Sequence, residues 1–266
     1  MGRIARTFQT LTDRGEAALA PYLMAGYPSL DATSELLYAI VQAGADLVEL
    51  GIPFSDPLAD GATLQAANQR ALSGGTTLAR VLNLVTTVRS SIAAPLVLMS
   101  YYNPVLRMGE AFAAEAAAAG VDGLIIPDLP AEESGPLRDA CASAGIDLIG
   151  MVAPTSPPDR VRRIASGASG FVYCVSLKGV TGARSELSDA VRPLVERVKA
   201  ETSLPALVGF GISTPEHVRA VTAFADGAVV GSGLLARIDR FPASRAEAAA
   251  RLVEDLKAAC RVKSTA

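Results

Sequence analysis

Histidine is nearly absent from this chain: among 266 residues only His217 carries an imidazole, and there is no tryptophan. A multi-histidine metal site or a Ser-His-Asp triad would have to rest on that one residue. It lies in Ser-Thr-Pro-Glu-His-Val, the pattern of a surface helix's first turn. Lysine is scarce too. Lys178, Lys199, Lys257 and Lys263 are the whole set, and none sits in an apolar strand where a Schiff-base amine would be desolvated. Cys141, Cys174 and Cys260 are an odd number without metal-ligand spacing, and Cys174 reads as a small packed hydrophobe. No stretch approaches the roughly 20 apolar residues of a membrane span, and residues 1–7 lack the apolar run of a signal peptide. The net charge is −3, and the densest basic group, Arg160, Arg162 and Arg163, suits a solvated helix. That balance argues against a nucleic-acid partner. These absences describe a reduced, cytoplasmic protein without metal, membrane or nucleic acid. Carboxylates are left to do any acid–base work.

What is present is an alternation. Short runs rich in Val, Leu and Ile recur at 18–24, 46–51, 95–100, 122–126, 146–151, 170–174, 205–209 and 226–230. Such runs suit parallel strands buried on both faces. Helix signals lie between them: Asp31 opens 31–43, Pro157-Pro158-Asp159 opens 158–166, and Ser213-Thr214-Pro215-Glu216 opens 214–223. The Ala-rich stretch 243–261 reads as a helix with a packing role. In Ala43-Gly44-Ala45-Asp46, Ala119-Gly120-Val121-Asp122 and Ala144-Gly145-Ile146-Asp147 the glycine can close a helix before the next strand. Eight β-α units close most naturally into a (β/α)8 TIM barrel of the α/β class. A doubly wound open sheet is the alternative, but residues 18–30 lack its Gly-rich fingerprint. No linker or composition break interrupts 1–266, which predicts a single barrel domain.

One strand carries an anomaly. Glu49 is flanked by Leu47, Val48, Leu50 and Ile52, where a carboxylate is costly unless paired or protonated. A neighbouring donor could satisfy it; catalysis is the other reading, and the barrel favours it. Catalytic groups of this fold sit at the carboxyl ends of strands and on the loops that follow. Glu49 ends strand 2, Asp56 and Asp60 lie on the loop after it, Tyr101 follows strand 3, Asp128 strand 4, and Tyr173 ends strand 6.

Glycine marks the other side of the same face. Gly209-Phe210-Gly211-Ile212-Ser213 and Gly231-Ser232-Gly233 follow strands 7 and 8, where this fold cradles phosphate on backbone N–H groups and a helix start. A third stretch, Lys178-Gly179-Val180-Thr181-Gly182-Ala183-Arg184, can serve as a water-excluding lid or simply as a surface loop.

The phrase Glu49-Leu-Gly-Ile-Pro-Phe-Ser-Asp-Pro-Leu-Ala-Asp60-Gly, with Gly179-Val-Thr-Gly182 and Gly209-Phe-Gly211-Ile-Ser213, closely resembles the tryptophan synthase alpha subunit family. Pro21 to Pro28, Tyr101-Tyr-Asn-Pro104 and Pro127 to Glu133 fit the same pattern in order, so the resemblance spans nearly the whole chain. It implies a lyase that cleaves indole-3-glycerol phosphate to indole and glyceraldehyde 3-phosphate in tryptophan biosynthesis. The chain itself would need no cofactor. A beta subunit carrying pyridoxal phosphate would be its partner in an alpha2-beta2 complex. Matching motif to motif implies Glu49 and Asp60 as the catalytic pair. Tyr173 and Thr181 fall where side chains orient or close over that pair, and Gly182, Phe210, Gly211, Gly231 and Ser232 fall at phosphate-binding positions. Tyr101, Ile125 and Phe210, with Leu98 or Met99, are expected around the indole, although each reads equally as barrel core. Pro53, Asp56, Pro57, Asn103 and Pro104 are expected to meet the beta subunit. Two other classes stand against this reading: a barrel that has lost its chemistry and only activates a partner, and a sugar-phosphate isomerase-like barrel.

Overall fold

The computed structural model describes residues 1–175, 190–209 and 211–260. Its strands are β1 (Ala18–Met24), β2 (Val48–Gly51), β3 (Leu96–Met99), β4 (Gly123–Ile125), β5 (Asp147–Leu148), β6 (Gly150–Val152), β7 (Val172–Val175), β8 (Ala206–Gly209) and β9 (Gly227–Val230). All pair in parallel, in the order β5-β4-β3-β2-β1-β9-β8-β7-β6. β5 and β6 are two halves of one strand broken at Ile149; the first half pairs with β4 and the second with β7. Eight strands therefore close a barrel, each within a few residues of its expected span.

Twelve helices surround it among the described residues: α1 (Arg3–Asp13), α2 (Leu30–Gln42), α3 (Ala62–Ser73), α4 (Leu78–Arg89), α5 (Tyr102–Met108), α6 (Phe112–Ala119), α7 (Gly135–Ala144), α8 (Pro158–Gly167), α9 (Val191–Glu201), α10 (Pro215–Thr222), α11 (Ser232–Arg240) and α12 (Arg245–Ala259). None is long and apolar enough to cross a membrane. The expected helix ends are there: Gly44, Gly120 and Gly145 all take positive φ, the conformation that glycine adopts without steric cost. Thr214 caps α10 by accepting from the His217 N–H, so the lone histidine sits in a helix start. α8 carries Arg160 and Arg163 to Glu132 and Arg162 to Glu201, a solvated set of ion pairs. All three cysteines are buried and unbridged.

α1 has no counterpart among the expected elements. Its Ile4, Phe8 and Leu11, on one helical face, are buried. They close the end of the barrel opposite the functional loops: a Cβ on Gly123 would lie 2.9 Å from Ile4 Cδ1, and Phe8 meets Phe171 at 6.1 Å between ring centroids.

At this same end an acid preceding a strand accepts an N–H from the start of the neighbouring strand. Asp46 accepts from Leu19, Asp122 from Leu96, and Asp226 from Ala206, at 2.8–2.9 Å. Each acid also meets a cation: Lys257, Arg3 with Arg89, and Lys199 respectively. Asp122 is the most buried of the three, with Arg89 largely covered beside it. Asp122→Ala would strand that guanidinium and an unpaired strand N–H, so we expect a loss of about 3–5 kcal/mol. Urea unfolding should show a lower midpoint at unchanged slope.

Candidate active site

The parallel register decides what faces inward. Tyr22 pairs with Glu49, Glu49 with Val97, and Gly51 with Met99. Met99 pairs with Ile125, and Met151 with Tyr173. Side chains alternate along each strand, so this set shares the barrel interior. Two inward glycines shape it. A Cβ on Gly51 would overlap the Tyr22 hydroxyl, and one on Gly209 would overlap that of Tyr173. The two phenols thus reach across the barrel beside Glu49, in space that only glycine leaves free.

A cavity of about 910 Å³ opens at the carboxyl end of the strands. Glu49, Asp60, Tyr22, Tyr173, Gly211, Gly231 and Ser232 all line it. Its size is near the upper end of the range for small-molecule sites, about 300–1,000 Å³.

Glu49 is 1% exposed, and neither carboxylate oxygen has a hydrogen-bond partner among the described residues. The neighbouring-donor reading of this residue is therefore not what the structure contains. Burial pushes its pKa up to about 8, because a charge in this apolar wall gives up its hydration. Asp60 is half-buried on the loop after β2, and desolvation raises its carboxyl to about 6. Tyr22 and Tyr173 are held protonated well above their ordinary range, first by burial and then by the charges of Glu49 and Asp60.

The loop bearing Asp60 is anchored by two side chains, Tyr101 and Asn68, and the start of α5 beside Tyr101 is held in turn. The Tyr101 hydroxyl accepts from the Ala59 N–H at 2.8 Å, and its ring stacks on Phe54, 5.2 Å between centroids. Asn68 of α3 accepts from the Phe54 N–H and donates to the Phe54 carbonyl. Asp128, on the loop after β4, accepts from the Tyr102 N–H at the start of α5. Tyr101 is thus a clamp on the loop. Ile125 is fully buried, while its neighbour Ile126 lines the cavity together with Met99. Leu98 alternates with Met99 and faces away from the interior.

On the opposite side, Gly211 takes φ +78°, and Gly231 and Ser232 stand at the start of α11. The two glycine loops touch: a Cβ on Gly233 would lie 2.8 Å from that of Ser213. The first-turn N–H groups of a helix have no intrahelical acceptor and favour an anion. Thr181, Gly182 and Phe210, and with them the lid stretch 178–184, lie outside the described residues.

At the rim, Asp56 and Asn103 are exposed, Pro57 and Pro104 half-buried, and Pro53 buried. Between them stand two exposed leucines, Leu58 at 92% and Leu106 at 59%. Leu106, Tyr22, Met151 and Val229 were not singled out from the sequence. Counting alternate residues back from Met24 and Gly231 would have placed Tyr22 and Val229 on the inner face; Leu106 carried no such signal.

Fold and site together define a (β/α)8 barrel enzyme with a carboxylate-bearing cavity at the carboxyl end of its strands. Comparison with known proteins narrows the class. The family model described as tryptophan synthase alpha chain matches residues 8–265. The chain is 52% identical over 262 residues to the tryptophan synthase alpha chain of Chloroflexus aggregans, covering 97% of this chain and 98% of that one. It is 53% identical over 244 residues to that of a Roseiflexus species, covering 91% and 94%. Among solved structures, the alpha chain from Legionella pneumophila superposes with a TM-score of 0.91 at 34% identity, covering 100% of each chain. Tryptophan synthase of Mycobacterium tuberculosis gives 0.91 at 37%, covering 98% of this chain and 99% of that one.

The chain belongs to the tryptophan synthase alpha chain family. Its reaction is the lyase step of tryptophan biosynthesis that cleaves indole-3-glycerol phosphate. The pyridoxal phosphate of the complete synthase is carried by the beta subunit with which the family works, not by this chain.

The unpartnered burial of Glu49 has a measurable cost. An ordinary glutamate titrates near 4.5 and this one near 8, so the folded state holds the proton more tightly than the unfolded state. The contribution to stability is complete below 4.5 and is lost as pH rises through 8. Glu49→Gln removes that dependence. Its melting temperature should match the parent's at pH 4 and exceed it by a margin that widens from pH 5 to 9.

Proposed function

We propose that residues 1–266 act as one cytoplasmic barrel domain in which Glu49 moves the proton and Asp60 supports the developing charge on the indole. The observation that carries this reading is the carboxylate pair lining one cavity, one acid fully desolvated and the other half-buried. At neutral pH their environments favour opposite protonation states: Glu49 protonated, Asp60 ionised.

The cleavage is a retro-aldol step. Glu49 donates its proton to indole C3, which leaves positive charge on the ring nitrogen. Asp60 accepts a hydrogen bond from the ring N–H and offsets that charge. The Glu49 carboxylate then takes the proton of the hydroxyl beside the breaking bond. The C3–carbon bond breaks, its electron pair restores the neutral indole, and the hydroxyl carbon becomes the aldehyde of glyceraldehyde 3-phosphate. Glu49 ends protonated, ready for the next turn. The phosphate is held at Gly211, Gly231 and Ser232, supported by the glycine-built loops and the α11 start. Gly182 and Phe210 join that end and Thr181 closes over the pair, on the family pattern. Tyr173 packs beside the ring. Tyr101 keeps the Asp60 loop in place through Ala59 and Phe54.

General acid–base groups contribute about 10²- to 10⁴-fold. Glu49→Gln and Asp60→Asn should each lose at least about 10²-fold in indole formation while still binding substrate. The parent's kcat/KM should rise near pH 6 as Asp60 ionises and fall near pH 8 as Glu49 does. Near-parental turnover in Glu49→Gln, or a profile flat from pH 5 to 9, would rule the assignment out.

The rim residues Pro53, Asp56, Pro57, Asn103 and Pro104 are proposed to meet the beta subunit. What supports this is the exposure of Leu58 on the loop after β2 and of Leu106 on α5, since large apolar side chains in water mark a docking surface. Docking there would press the loop that ends at Asp60. The partner should then raise kcat, and Asp56→Ala should weaken that activation more than it lowers the basal rate of the isolated chain. Equal losses in both would remove the coupling role from this loop.

A further inference from the structure

The barrel wall is not evenly closed. Pairing between β4 and the fifth strand stops at Leu124–Leu148, and Gly150–Val152 pair only with β7. Above that level Ile125 pairs with Met99 of β3 but with no strand on its other side among the described residues. Burial follows the same line. The other barrel strands are buried, apart from Val175 at the end of β7, whereas Leu148, Gly150 and Met151 are half-buried.

The split continues the cavity outward. Ile149 and Met151 face the barrel interior, so Leu148 and Gly150, alternating with them, face the helices. α8 lies close against this outer face: a Cβ on Gly150 would be 2.7 Å from Ile164 Cγ2 and 3.0 Å from Ala168 Cβ. The space that holds Glu49 and Asp60 is bounded on this side by the outward-facing Leu148 of β5 and by Ile164 and Ala168 behind the strand, and Arg160, one turn before Ile164 on α8, also lines it. The first three are aliphatic, and Arg160 is paired with Glu132. The glycine loops that suit an anion belong to β8 and β9, farther round the barrel.

We infer that this lateral arm is a binding subsite for a neutral planar aromatic molecule the size of indole, separate from the reacting centre but continuous with it. The inference rests on the proposed cleavage at Glu49 and Asp60. That step severs an apolar ring from its anionic tether; the phosphate stays at the glycine loops, while the ring is free to slide along an aliphatic wall. Apolar surface removed from water there favours the ring and not the charged fragment. The arm thus holds released ring without occupying the position of the next substrate.

Radiolabelled indole can be followed by equilibrium dialysis even beside an unlabelled indole analogue. Labelled indole is titrated into the full chain with and without a saturating indole alkyl phosphate that lacks the cleavable hydroxyl. A bound population of labelled indole should persist when the analogue fills the reacting centre. Ala168→Phe, which fills the arm from the end of α8, should weaken that residual binding by about tenfold while leaving analogue affinity within about twofold. Complete displacement of indole by the analogue, or unchanged residual binding in folded Ala168→Phe, would overturn the subsite. If that variant fails to fold, nuclear Overhauser contacts decide the matter in the parent chain with analogue bound. Contacts from indole protons to the methyls of Leu148 and Ile164 support the arm, and their absence overturns it. A chain that leaves indole-3-glycerol phosphate uncleaved would reject the catalytic reading, an outcome distinct from displacement by the analogue.

Discussion

Desolvation of Glu49 is the constraint on which the rest of the site depends. A carboxylate in water titrates too low to hand a proton to carbon at neutral pH; one inside a closed strand wall does not. The barrel supplies that wall by alternation: the register that turns Glu49 inward also turns Tyr22, Met99 and Tyr173 inward. Gly51 and Gly209 keep the interior open enough for two phenols beside it. Among the described residues no hydrogen-bond partner reaches Glu49 to relieve its raised pKa.

Stability and chemistry are assigned to opposite ends of the barrel. At one end, Asp46, Asp122 and Asp226 bind strand N–H groups and cations, and α1 closes the interior with Ile4, Phe8 and Leu11. Those acids are paired on every side. At the other end, Glu49 is unpaired among the described residues and Asp60 half-buried, and the structure carries the cost of keeping them so. Chemical type is the same at both ends; the number of donors within reach separates the structural carboxylates from the pair we propose to be reactive.

Much of this was legible in the chain. Val-, Leu- and Ile-rich runs located all eight barrel strands, because a strand buried on both faces admits little else. Glu49 announced itself by standing in such a run. The glycine phrases after the last two strands were placed by the same count, and one of their glycines does take the positive φ that calls for glycine. The long phrase from Glu49 to Gly61 carried the family, which the match over residues 8–265 shows. The helix at Arg3–Asp13 was overlooked, although Ile4, Phe8 and Leu11 have the spacing of one helical face. That spacing is visible, but only the open barrel end beneath it makes the helix necessary.

By itself the sequence determined the order of strands and helices and the scarcity of imidazole and amine, and so directed the search for acid–base groups to carboxylates. Periodicity and composition are local properties, and they can be read without knowing what lies opposite. Tertiary structure decided which of these groups meet. Whether Glu49 finds a donor, whether Tyr101 lines the cavity or clamps Ala59, and where the fifth strand parts from the fourth all depend on residues far apart in the chain. A pKa is set by the sum of charges, donors and solvent around a group, and that sum exists only once the barrel has closed.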